Sequence, residues 1–94
     1  MNNFYAELQR LEDLPDDRVY SAAEDVIRLW EKEKPLLRCI HLHSEIRELD
    51  GVMVSLTAVL RYSGRKEMNE KCAEGKNLIK DMIACEKFTF DNVL

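Results

Sequence analysis

Seven apolar residues, Cys39, Leu42, Ile46, Leu49, Met53, Leu56 and Leu60, follow one another at alternating intervals of three and four. Their mean spacing is close to the 3.6-residue turn of an α-helix, so all seven share one stripe of its surface. A seam sustained over about three heptads packs helices side by side at a small crossing angle. The two-residue period of a strand cannot generate it. The chain is therefore expected to fold as helix on helix.

The remaining segments fit that frame. Phe4, Tyr5, Leu8 and Leu11 predict a short amphipathic helix that stops near Leu14-Pro15, because proline disfavours the helical region for the residue before it. A second helix is expected from Asp16 or Asp17 to Lys34, with Val19, Ala22, Ala23, Val26, Leu29 and Trp30 as its apolar face. Pro35 is read as the first-turn residue of the third helix, the one bearing the seam. Gly64 in "YSGRKE" marks its stop as a C-terminal cap, and Gly51 lies outside the seam. Met68, Cys72, Gly75, Ile79 and Met82, joined by Leu78 and Ile83, predict a fourth helix that fades at Lys87. The closing "FTFDNVL" is expected to fold back over the bundle end through Phe88, Phe90 and Val93 or Leu94. With only three glycines and two prolines the chain has few places to turn. The expected architecture is all-α: one domain over residues 1–94, a small up-and-down antiparallel bundle of three long helices with a short N-terminal helix packed at one end.

Charge and cysteine usage exclude several functions. Fourteen basic against 18 acidic side chains give a net charge of −4, a field that repels phosphate backbones, so nucleic acid is not an expected partner. Three widely spaced cysteines do not form the dense even pattern of a disulfide framework, and Cys39 and Cys72 read as buried apolar residues. No apolar run approaches the roughly 18 residues that span a bilayer, and "MNNFYAELQRLED" has no signal-peptide character, so residues 1–94 read as soluble.

One stretch concentrates chemically competent side chains: "RCIHLHSEIRELDG", residues 38–51. On a continuous helix His41 and His43 lie about 100° to either side of the seam and diverge, so they cannot chelate as an H-x-x-x-H pair would. Cys39 with His43, and His41 with Glu45, remain as pairs at the i, i+4 separation. Cys39, His41, His43 and Glu45 are thus the candidate metal ligands, short of the set a closed zinc site needs without Cys72, Cys85 or further acids. The expectation is no metal and no other cofactor.

No catalytic residues are expected either. The cysteines on apolar seams lack the electropositive setting of a reactive thiolate. Asp16-Asp17, Glu24-Asp25, Glu45, Glu48 and Asp50 read as solvated helix faces or first-turn charges. Arg61, Arg65 and Lys66, with Tyr62, could hold an anion at the helix junction, although cations also suit a helix C-terminus for dipole reasons alone.

Trp30, the Leu36-Leu37 helix start, His43 followed by Glu45-Ile46, and the terminal Asn92-Val93-Leu94 together resemble a family from Gram-positive, clostridia-like bacteria, the domain of unknown function DUF4363. The similarity runs from about Ala22 onward. Members of that family commonly begin with a hydrophobic membrane anchor, which residues 1–94 do not contain. The resemblance implies an extracytoplasmic or membrane-attached helical module and brings no catalytic residues with it.

Taken with the residues themselves, this points to a non-enzymatic module for protein–protein interaction or self-association, with no small-molecule substrate. Val52 and Val59 on one flank of the third helix and Val54 on the other widen its apolar stripe and are the expected interaction surface. The alternative is a small metal-binding or regulatory protein using Cys39, His41, His43 and Glu45.

Overall fold

The computed structural model describes the backbone of residues 2–93 and the side chains of residues 3–84. Four helices follow one another: α1 (Asn2–Asp13), α2 (Asp16–Ile40), α3 (His43–Ser63) and α4 (Arg65–Val93), with no strand among the described residues. The protein is an all-α up-and-down bundle. α1 packs on α2 and α4, and α3 packs on α2 and α4, so each helix touches its two neighbours around a square.

One hydrophobic cluster joins all four helices. α1 contributes Phe4, Leu8 and Leu11; α2 contributes Val19, Ala23, Val26 and Trp30; α3 contributes Ile46, Leu49, Met53 and Leu56. α4 contributes Met68, Cys72, Ile79 and Met82, as its spacing predicts. Each large side chain buried in this way stabilises the fold by about 1.5–3 kcal/mol relative to exposure. Phe4 meets the edge of Trp30 at 82° with ring centroids 5.4 Å apart, a geometry that suits the ring quadrupoles. α4 comes close to its neighbours at Gly75, where a Cβ would sit 2.9 Å from Leu8 Cδ1 and 3.2 Å from Val52 Cγ1.

The corners are made differently from one another. After α1, Pro15 adopts φ −62° and ψ 154°, and its carbonyl accepts from the amides of Arg18 and Val19 to start α2. Asp16 and Asp17 then occupy the first turn, where the helix dipole favours negative charge. Between α3 and α4, Gly64 has φ 102° and ψ 177°, a conformation essentially restricted to glycine, and its amide donates to the Val59 carbonyl.

The α2–α3 corner departs from expectation. Pro35 does not open the third helix; it lies inside α2, which continues to Ile40. Having no N–H, Pro35 cannot donate to the carbonyl four residues before it, yet Leu37 beyond it is buried against the core and extends the apolar face of α2. The turn falls at His41 and Leu42, with φ, ψ of −112°, 160° and −60°, 139°, extended conformations open to any residue. Cys39 and Leu42 therefore leave the seam: both are exposed, and the buried stripe of α3 begins at Ile46.

Two further expectations change. The backbone of α4 stays helical to Val93 and does not fold back after Lys87; the side chains of Phe88, Phe90, Asn92, Val93 and Leu94 lie outside the described residues. α1 does not close one end of the bundle but forms its fourth wall over part of its length. It runs antiparallel to α4, with Glu12 beside Lys76 and Tyr5 beside Lys76 and Lys80. Its N-terminal end is level with Trp30 through Phe4, while α2 continues another ten residues to Ile40.

Candidate functional site

The polar stretch singled out in the sequence is split by the α2–α3 corner. Cys39 stands exposed in the last turn of α2, its thiol toward the Pro35 carbonyl at 3.6 Å. His41 caps α2, donating its backbone N–H to Leu37 at 3.0 Å, whereas His43 and Glu45 lie in the first turn of α3. The helical i, i+4 relations between Cys39 and His43 and between His41 and Glu45 do not exist across this turn. Among the described residues no three His, Cys, Asp or Glu side chains are grouped to hold a metal ion.

The valines are divided as well. Val52 is buried against Gly75 of α4 and Val59 is partly buried against the core, which leaves Val54, at 41% exposure, as the one outward-facing member. The width of the α3 stripe is thus consumed inside the bundle, where α3 contacts both α2 and α4.

The arginine cluster is also absorbed. Arg65 Nη2 donates to the carbonyls of Leu11, Glu12 and Leu14 at 2.8, 3.1 and 2.6 Å, Nη1 to Asp16 at 2.7 Å, and Nε to Asn69 at 3.2 Å. It closes the orphan carbonyls at the end of α1 and ties the α1–α2 turn to α4. Arg61 donates to the Tyr20 hydroxyl and lies 5.3 Å from the Tyr20 ring centroid. A shallow groove of about 550 Å³ lies among Asp16, Val19, Tyr20, Leu60, Arg61 and Arg65, and its arginines already have partners within the fold.

A polar contact that sequence reasoning missed sits between α2 and α3. The Trp30 indole N–H donates to Asp50 Oδ1 at 2.7 Å and Lys34 Nζ to the same oxygen at 3.0 Å. Partial burial acts to raise the Asp50 pKa; the hydrogen bonds from Trp30 and Lys34 and the charges of Lys34 and Arg38 together outweigh it and hold the carboxyl below its ordinary value. The carboxylate thus satisfies the one polar atom of a fully buried tryptophan. Between α1 and α4, Lys76 donates to Gln9 at 2.8 Å and Glu12 Oε2 at 3.0 Å, while the buried Glu12 Oε1 accepts no hydrogen bond. Burial, with the nearby Glu12 charge adding to it, pushes the Cys72 thiol up to about 12, so Cys72 is no nucleophile at neutral pH.

What remains on the surface is apolar and local. Among the described residues five large hydrophobic side chains are exposed, and three of them, Leu36 (66%), Ile40 (61%) and Leu42 (69%), belong to one corner. Ala22, Leu29 and Leu36 are spaced by seven residues on α2, as are Val26, Glu33 and Ile40. By helical phase Leu36 and Ile40 continue the side of α2 that faces α1 lower down, roughly opposite Tyr20 and Lys34, which face α3. They line a position that no described residue fills. In class the protein is an all-α helical bundle whose described residues group no metal cluster and whose distinguishing surface is this uncovered apolar end. No family model, no curated protein and no solved structure matches the chain. No helix is long and apolar enough to cross a membrane, among the described residues.

Proposed function

We propose that this protein is a non-enzymatic helical module that associates with another polypeptide through the end of α2. The observation that supports the reading is the exposure of Leu36, Ile40 and Leu42 together at one corner, when Ala22 and Leu29 of the same helix stripe pack against the core further down. Contiguous apolar surface of this kind marks interaction sites in soluble folds. On the DUF4363-like resemblance alone, we take the module to work in an extracytoplasmic or membrane-attached setting.

The test is a photo-crosslinking amino acid at position 36, compared with one at exposed Glu24 on the other side of α2. A discrete polypeptide adduct from position 36 and none from position 24, formed in the expressing cell, is the expected result. No adduct from either, or the same adducts from both, would refute the reading.

A further inference from the structure

Resting on that reading, we infer that the occupant of the vacant position beside α2 is a second copy of this chain, bound about a two-fold axis so that each copy's α2 end lies in the other's vacancy. α1 ends level with Trp30, and the ten residues of α2 beyond it extend about 15 Å at the helical rise. On the far side α4 continues from Lys80, which lies beside Tyr5 of α1, to Val93. Over about three turns, therefore, the described residues of α1 do not reach the side of α2 that bears Leu36 and Ile40, which continues the seat that α1 occupies.

Area distinguishes a second copy from a lone partner helix. A ten-residue helix about 10 Å across that buries half its side wall covers roughly 500 Å² counting both surfaces. That is well below the roughly 1,000 Å² at which specific interfaces begin. In a two-fold pair each copy supplies both a helix and a seat, and the total approaches that threshold. The geometry allows it, because Leu36 and Ile40 point away from α3, so the end of α2 can enter a neighbour's seat without displacing its own partner. Charge agrees. By helical phase Lys32 and Glu33 flank the stripe, while Glu31 and Lys34 turn away from it, Lys34 to Asp50, so two antiparallel copies meet with both signs on the rim instead of a single repelling one. A two-fold contact of this kind is self-complementary and closed, the commonest symmetry of soluble oligomers.

Sedimentation velocity of the purified full chain across a micromolar to submillimolar concentration series tests the dimer. The expected result is a dimer that Leu36→Glu and Ile40→Glu each shift to monomer by at least tenfold in dissociation constant, with helical circular dichroism and melting of the monomer retained. Val54→Glu, on an exposed face of α3 remote from the vacancy, is expected to leave the dimer unchanged. A chain that stays monomeric throughout, or a dimer insensitive to both α2 substitutions, would overturn the inference. A monomer whose position 36 still crosslinks to a different polypeptide would refute the second copy alone and leave the association reading standing.

Discussion

At the scale of single residues, Asp50 shows why a charge on a helix is not always a solvated one. Its role depends on a contact with Trp30, 20 positions away, that exists only once α2 and α3 are paired. Removing the carboxylate with Asp50→Ala leaves a buried indole N–H without its partner, so a loss of about 1–3 kcal/mol in urea unfolding is expected. Acid should act in the same direction. Because the folded pKa lies below the ordinary value of 3.8, the unfolded chain takes up the proton first as pH falls. The Asp50 contribution is complete above that ordinary value and disappears as pH drops through the lowered folded one. The stability difference between wild type and Asp50→Asn should accordingly stay constant above that ordinary value and narrow as pH falls below it, and a difference that does not narrow in acid would contradict this. The thiols offer a second residue-level check. Exposed Cys39 should react with a disulfide reagent in the native protein, whereas Cys72, with its thiol near 12, should react only after unfolding; peptide mapping of the labelled sites reads the order.

At the scale of elements, spacing made α1, most of α3 and the first half of α4 legible, because their buried residues recur at helical intervals. The α2–α3 corner was not legible. Proline is the strongest breaker in a sequence, but α2 runs through Pro35, and the turn at His41 and Leu42 uses conformations that need neither glycine nor proline. Once α2 is extended past Pro35, the heptad repeat Ala22, Leu29, Leu36 is apparent, and with it an exposed apolar residue at the end of α2 that the reading of Val52, Val54 and Val59 as the surface did not include. Replacing Pro35 with alanine restores a helical N–H and should stabilise the protein by about 1–3 kcal/mol in denaturant titration. The two helical glycines should respond oppositely. Gly51 has open space around its missing Cβ, so Gly51→Ala should stabilise by about 0.5–1 kcal/mol. Gly75→Val would drive a branched side chain into Leu8 and Val52 and should cost about 1–3 kcal/mol by the same assay.

At the scale of the whole molecule, the decisive feature is a mismatch of lengths. α1 has 12 residues and α2 has 25, so among the described residues α1 lies beside α2 only as far as about Trp30. The extent of α1 could be read from the sequence, the α2–α3 boundary and the end of α4 could not, and neither could the alignment of the helices, since it rests on Phe4 meeting Trp30 and on Arg65 anchoring the end of α1. That alignment leaves Leu36 and Ile40 uncovered, the surface on which the proposed self-association rests. Amide hydrogen exchange at two protein concentrations tests this most directly. Protection of residues 36–42 should rise with concentration while the amides at the level of Leu8, Val52 and Gly75 remain unchanged. Exchange at 36–42 that is the same at low and high concentration would contradict it.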